Sequence, residues 1–473
     1  MTAPPNNPAL DVVAGSDAPA GPPAEAAPGL KKRAINAGYW TTLSFVFDKG
    51  LAFVSNIVLV YLSLSQEDFG IVLLVGSVIT GLQMFSDVGI TPSLIQNKRE
   101  DPAFYNTAWT IQVVRGVFLW LVACLLAYPL SRLFEGGEAL LWLLPVAAFT
   151  SVFNGFRSTA WATANRRLDV KSMAVVTSVT SVLRVLVMWT VAYFYPSPWA
   201  LVAGFLVGAA VTCVLSHRLI DDVKNRFCFE RKAFDSLVRY GKWLFLSTVV
   251  TFWAAQIDKF LFASLLSFSA LGLYAIALRF SELGPMFFKK MGGWVGFPAL
   301  SDVYRRDPQQ FGSVLLRMRR VLTLPINALL LMMIALGPAA MQLFYARSPS
   351  PGFIEAGWII QVLCFNSLAG MTTTCYGQVF MAMGKTKYNL LSVLAQLVIV
   401  TAATLAGYRL AGETGFVLGI GVSQWLKYVF DAAMAKRCGC WQRKFDASVL
   451  IVCGLLAWGC VWFSQWLAEA VML

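Results

Sequence analysis

After residue 36, apolar runs of about twenty or more residues recur almost to the end of the chain, each long enough to cross roughly 30 Å of hydrocarbon. A chain patterned this way has the bilayer as its solvent. Hydrophobic residues make up 58% and charged residues 13%, against about half and about a quarter in ordinary globular domains, so no soluble domain of useful size is left over. Thirteen spans are expected, near 37–62, 69–94, 106–130, 138–163, 172–195, 198–217, 240–266, 270–296, 314–344, 355–383, 388–408, 414–434 and 447–469. The expected fold class is an all-α integral membrane protein.

A net charge of +13 would suggest nucleic acid in a soluble protein, but here the placement of the basic residues matters more than their sum. With the N-terminus inside, 28 of the 38 Lys and Arg fall in segments on one side, including the runs from Arg218 to Lys242 and from Lys289 to Arg320. The opposite loops hold only Arg132, Arg347 and Arg409, and seven cations lie within spans. This bias predicts a multi-pass protein of the inner membrane with a cytoplasmic N-terminus. Residues 1–30, rich in Pro and Ala, read as a disordered tail and lack the apolar stretch of a signal peptide. A single histidine, His217, argues against a His-based metal or catalytic site. Most of the nine cysteines sit in apolar runs as small hydrophobes, and Cys438-Gly439-Cys440 has no partner ligands. No metal or cofactor is expected.

Landmarks repeat along the chain. Asp48-Lys49 matches Asp258-Lys259 at an offset of 210, Phe69-Gly70-Ile71 matches Leu271-Gly272-Leu273 at 202, and Lys171 matches Lys387 at 216. Gly204-Phe-Leu-Val-Gly208 matches Gly415-Phe-Val-Leu-Gly419 at 211. Two parallel six-helix lobes follow, related by an axis along the membrane normal because six is even. The organisation expected is a tail at 1–34, a first lobe at 35–218, a cytoplasmic linker at 219–239, a second lobe at 240–435, and a loop with an additional C-terminal span at 436–473. Ser86-Asp87-Val88-Gly89 also resembles Ser281-Glu282-Leu283-Gly284, but at an offset of 195 that requires an irregular helix.

Glu67-Asp68-Phe69-Gly70, Asp87-Val-Gly-Ile90 with Leu94-Ile95-Gln96, Gly241-Lys242-Trp243, Asp258-Lys259, Gly272-Leu273-Tyr274 and Tyr304-Arg-Arg-Asp-Pro308 together resemble the Wzx-type oligosaccharide flippases, or polysaccharide transporters, of the MOP superfamily. The resemblance runs from about residue 36 to residue 435. A thirteenth span and the long tail depart from a plain twelve- or fourteen-helix member. The resemblance implies a V-shaped, alternating-access transporter, not an enzyme. Its cargo would be an undecaprenyl-pyrophosphate-linked oligosaccharide for exopolysaccharide, capsule or O-antigen (lipopolysaccharide) synthesis, with membrane lipids and polymerase or export proteins as partners. A drug or ion antiporter, or a lipid II-type flippase, on the same fold is the alternative.

Independently of the family, the intramembrane cations Lys49, Arg115, Arg157, Arg184, Lys259, Arg279 and Lys427 need compensation, since each costs on the order of 2.5–3.5 kcal/mol at a helix centre. A water-filled cavity between the lobes would supply it and would suit a diphosphate, with arginine forks gripping oxygens bidentately and lysines acting as point charges. Lys49, Arg115, Arg157, Arg184, Lys259 and Arg279 are the candidate cargo-binding residues, and Arg157 and Lys427 also read as snorkelling to the cytoplasmic surface. Asp48, Asp87, Asp258 and Glu282 are candidates for Na⁺ or H⁺ coupling, or for salt bridges. Asp48-Lys49 and Asp258-Lys259 are not expected to self-pair, because helix neighbours point about 100° apart. With Asp431 the spans hold five carboxylates to seven cations, which favours an anionic cargo over a cationic drug. The Gly-x-x-x-Gly motifs read as helix packing, and Trp40, Trp199 and Trp243 as an interfacial belt. Short outer loops and the lack of a carboxylate pair at an outer mouth argue against a polymerase or glycosyltransferase.

Overall fold

The structure, a computed structural model, describes residues 28–85, 94, 101–166, 169–219, 224–291 and 297–472. Among these residues the chain is helical, with no strand. The first half holds α1 (Pro28–Tyr61), α2 (Gln66–Phe85), α3 (Pro102–Leu133), α4 (Leu140–Ala148), α5 (Thr150–Phe156), α6 (Ala160–Arg166), α7 (Val170–Phe194) and α8 (Pro198–Arg218). The second holds α9 (Arg231–Leu265), α10 (Phe268–Ser281), α11 (Leu283–Met291), α12 (Phe297–Arg306), α13 (Phe311–Tyr345), α14 (Ala356–Ala382), α15 (Thr386–Arg437) and α16 (Arg443–Met472).

Ten helices among the described residues are long and apolar enough to cross a membrane. The thirteen expected spans differ from these at three places. The 52-residue α15 would be about 78 Å long if straight, but Ala411 (φ −145°) and Gly412 (φ 58°) leave the helical region and fold it into a hairpin. There Gly407 and Gly415 meet backbone to backbone, as do Ala403 and Gly419, and a Cβ on Gly407, Gly415 or Gly419 would collide with a carbonyl across the hairpin. The side chains of α9 between residues 235 and 247 lie outside the described set. The third place is α10, which breaks after 14 residues at Glu282, where Pro285 has no N–H to return to Ser281.

The helix starts follow from local chemistry. Ser65 and Asp68 bond each other's backbone N–H groups, at 3.2 and 2.8 Å, ahead of α2. Ser267 accepts from the Ala270 N–H at the start of α10, and Asp101 caps α3 with Pro102 at the first helical position. Ser65 and Ser267 are themselves 202 residues apart, the offset of the glycine match.

The two halves pack alike: α1 lies against α7 as α9 lies against α15, and α7 pairs with α8 as the two arms of α15 pair with each other. The halves join where α2 crosses α10. A Cβ on Gly70 would overlap the Phe268 carbonyl, and a Cβ on Gly272 would overlap the Gln66 carbonyl. The contact is reciprocal at one offset, as an approximate two-fold axis through the crossing requires. Only glycine lets the backbones approach this closely.

The segment ahead of α9 is strapped to the first lobe. The N–H groups of Arg226, Cys228 and Glu230 donate to the side chains of Asn106, Thr110 and Thr107 on α3, and Phe227 packs on Trp109.

The additional helix α16 docks on α13 through a buried ion pair. Arg319, read from the sequence as part of a cytoplasmic charge run, is instead inside α13 with 0% of its side chain exposed, 2.6 Å from the equally buried Asp446. Tyr376 and Tyr428 donate to the other carboxylate oxygen, and Gln442 accepts from the Arg319 fork at 3.1 Å. The guanidinium also lies 5.0 and 4.9 Å from the Tyr376 and Phe445 ring centres. Cys438 and Cys440 are buried beside this cluster. Burial first, and Cys438 next, push the Cys440 thiol up to about 11, so it packs as a protonated small hydrophobe.

Breaking a buried pair leaves an uncompensated charge and costs about 3–5 kcal/mol. Asp446→Ala should therefore lower the thermal unfolding temperature of the detergent-solubilised protein and expose α16 to limited proteolysis, whereas Asp302→Ala, which breaks the exposed Arg306–Asp302 pair, should change neither.

Candidate functional site

Charged side chains from both lobes come within electrostatic reach of one another. Asp48 and Lys49 come from α1, Arg184 from α7, and Arg279 and Glu282 from the end of α10. Lys49 feels the charges of Asp48, Glu282, Arg279 and Arg184. Arg184 feels Asp48, and Arg279 feels Arg184, Glu282 and Tyr345. Three cations thus face two carboxylates across the lobe boundary. Asp48 is anchored by the Ser181 hydroxyl, one helical turn before Arg184 on α7. The Arg184 Nε atom is buried without a partner.

Arg279 and Glu282 are exposed at the end of α10, whereas Ala277 and Phe280, to either side of Arg279 on the same helix, are buried. Aromatic rings bridge the lobes on either side of Lys49. Toward the Gly70–Gly272 crossing, Phe53 packs edge-on to Phe280 and Phe344 at 5.0 and 5.7 Å. Beyond that layer Phe69 meets Phe353 at 5.6 Å. On the other side Phe45 meets Phe287 at 6.3 Å, with the Lys49 ammonium 5.8 Å from the Phe45 ring.

The remaining candidates are elsewhere. Arg115 donates to the Gln83 carbonyl in the last turn of α2 at 3.1 Å. Arg157 sits at an extended break after α5, its guanidinium 5.3 Å from the Trp161 ring. Asp258 and Lys259, expected not to pair, do pair: the Lys259 ammonium lies 3.4 Å from both carboxylate oxygens and 3.2 Å from the Ala255 carbonyl. The long lysine stem curls back and overcomes the 100° offset between neighbours. Tyr274 donates to the same carboxylate at 2.5 Å. Lys427, expected to snorkel, is buried with 8% exposure and pairs with Asp431 one turn on, at 2.9 Å. Asp87 lies outside the described residues. Sequence reasoning missed Ser181 and Tyr345, for neutral hydroxyls in a span carry no signal until their neighbours are known.

A model of the polysaccharide biosynthesis protein family matches residues 62–348. The chain belongs to this family. It is 22% identical over 407 residues to the succinoglycan biosynthesis transport protein ExoT of Rhizobium meliloti (strain 1021), an alignment covering 81% of this chain and 82% of ExoT. It is 21% identical over 394 residues to the lipopolysaccharide biosynthesis protein WzxC of Escherichia coli (strain K12), covering 82% of this chain and 78% of WzxC. Among solved structures, the lipid II flippase MurJ in an inward closed conformation superposes with a TM-score of 0.68 at 12% identity, over 92% of this chain and 97% of MurJ. This member of the polysaccharide biosynthesis protein family thus has the two-lobed, MOP-type fold expected from the sequence and is a multi-pass membrane protein.

The aromatic layer and the glycine crossing lie between the charged cluster and the end at which α2 and α10 begin. Gly272→Ile should force that end apart, because the added atoms overlap backbone that cannot yield. A membrane-impermeant maleimide added from that side should then label a Lys49→Cys probe in the Gly272→Ile protein and leave it unlabelled in the parent.

Proposed function

We propose that this chain is a flippase that carries an undecaprenyl-pyrophosphate-linked oligosaccharide repeat unit across the inner membrane for exopolysaccharide, capsule or O-antigen synthesis. The observation that carries the reading is the three-cation cluster at the lobe boundary, Lys49, Arg184 and Arg279, with Arg279 exposed. A diphosphate brings two phosphoryl groups bearing charge and acceptor oxygens, and two guanidinium forks with one ammonium complement them. The names of ExoT and WzxC support a polysaccharide pathway, and the fold shared with MurJ supports flipping of a lipid-linked sugar.

In this reading the N-terminus is cytoplasmic. The end at which α2 and α10 begin then faces the periplasm, so the glycine crossing is the periplasmic closure. The lobes, 35–218 and 240–435, rock about it while the prenyl chain stays in lipid. Coupling to Na⁺ or H⁺ would fall to Asp48 and Glu282, the carboxylates among the cations, since Asp258 is held by Lys259 and Tyr274. Arg115, Arg157 and Lys259 have structural partners and serve the lobes rather than the cargo. A drug antiporter on the same fold fits less well, because a cationic drug would meet a surplus of positive charge.

Each charge-assisted hydrogen bond is worth about 1.5–3 kcal/mol, so Arg184→Ala or Arg279→Ala should cut flipping about tenfold or more. Surface polysaccharide should fall and undecaprenyl-linked repeat unit should accumulate inside the cell, with the variant still in the membrane. Normal export by Lys49→Ala, Arg184→Ala and Arg279→Ala alike would remove the cluster from the mechanism.

A further inference from the structure

The two Gly-x-x-x-Gly motifs match in sequence but not in what they touch. In α15 the glycines at 415 and 419 face backbone, the Gly407 and Ala403 carbonyls. Their counterparts on α8 face side chains of α7. A Cβ on Gly204 would collide with the Met188 thioether, and a Cβ on Gly208 would sit 3.3 Å from Cδ and 3.6 Å from Cβ and Cγ of Arg184. Arg184 and Met188 are one turn apart on α7, so the two glycines form a trough that holds two consecutive side chains of the facing helix.

The Arg184 stem therefore lies along α8 with Gly208 as its floor, and its guanidinium is within electrostatic reach of Asp48, Lys49 and Arg279. A 3.3 Å approach is already tight, and any larger side chain at 208 must lift or swing the stem. The guanidinium would move with it, away from the position from which it can share an anion with Lys49 and Arg279. Among the described residues the buried Arg184 Nε atom has no hydrogen-bond partner. Asp48, the carboxylate Arg184 feels, is engaged by Ser181.

We propose that Gly208 is a positioning residue of the cation cluster: its missing side chain sets where the Arg184 guanidinium stands, and hence how tightly the cluster binds a diphosphate. The N-lobe motif has thereby taken a task beyond helix packing, whereas the C-lobe motif has kept packing alone. The inference rests on the proposed role of Arg184.

A double-mutant cycle on the full-length purified protein, with inorganic pyrophosphate as the calorimetric probe, tests it. Gly208→Leu should weaken pyrophosphate binding about tenfold, the worth of one charge-assisted bond, and the milder Gly208→Ala should weaken it by a smaller factor. In an Arg184→Ala background neither substitution should weaken binding further, because the stem they displace is gone. Equal losses in both backgrounds, or full affinity in both Gly208 variants, would overturn the positioning role. If Arg184→Ala itself binds pyrophosphate as the parent does, the reading of the cluster fails first and this inference falls with it. The Ala variant keeps the test usable if Leu prevents folding, and thermal unfolding of each protein separates lost packing from lost affinity.

Discussion

Hydrocarbon cannot solvate a charge, and that constraint organises this molecule. Each ionic group inside a span must find a partner, a backbone carbonyl or water. Arg319 with Asp446 and Lys427 with Asp431 take the first route and become internal fastenings. Arg115 takes the second, at the end of α2. Lys49, Arg184, Arg279 and Glu282 gather at the boundary between the two halves, three cations to the two carboxylates Asp48 and Glu282.

The boundary depends in turn on glycine. At the α2–α10 crossing the lobes touch backbone to backbone, and α2 continues along α9, where Phe85 packs on Phe252 at 4.7 Å. The same repeat that places Gly70 on Gly272 also places Asp48-Lys49 opposite Asp258-Lys259, yet the two acidic-basic pairs have different fates. The first lies within electrostatic reach of Arg184, Arg279 and Glu282. The second is closed by its own ion pair and Tyr274. An approximately two-fold scaffold thus carries charged pairs that are not equivalent.

Much of this was legible early. The alternation of basic segments, the thirteen apolar runs and the near-constant repeat offset imply a two-lobed bundle, because a membrane permits few alternatives to helices of a set length. The cation cluster was legible only as a pool of candidates. Of six cargo-binding candidates, Lys49, Arg184 and Arg279 converge, whereas Arg115, Arg157 and Lys259 do not. The 210-residue match gave no warning of that difference, since it turns on Tyr274 and on how far a lysine stem can curl.

Composition and periodicity by themselves determined the solvent, the helices and the lobe repeat, because hydrocarbon thickness and positive charge act on each segment separately. Tertiary structure alone decided which charges are fastenings and which gather at the boundary between the halves, because that depends on the neighbour each side chain finds across a helix interface. Arg319 shows the limit most clearly. As a residue in a basic run it looked like surface, and only the docking of α16 made it the centre of a buried network.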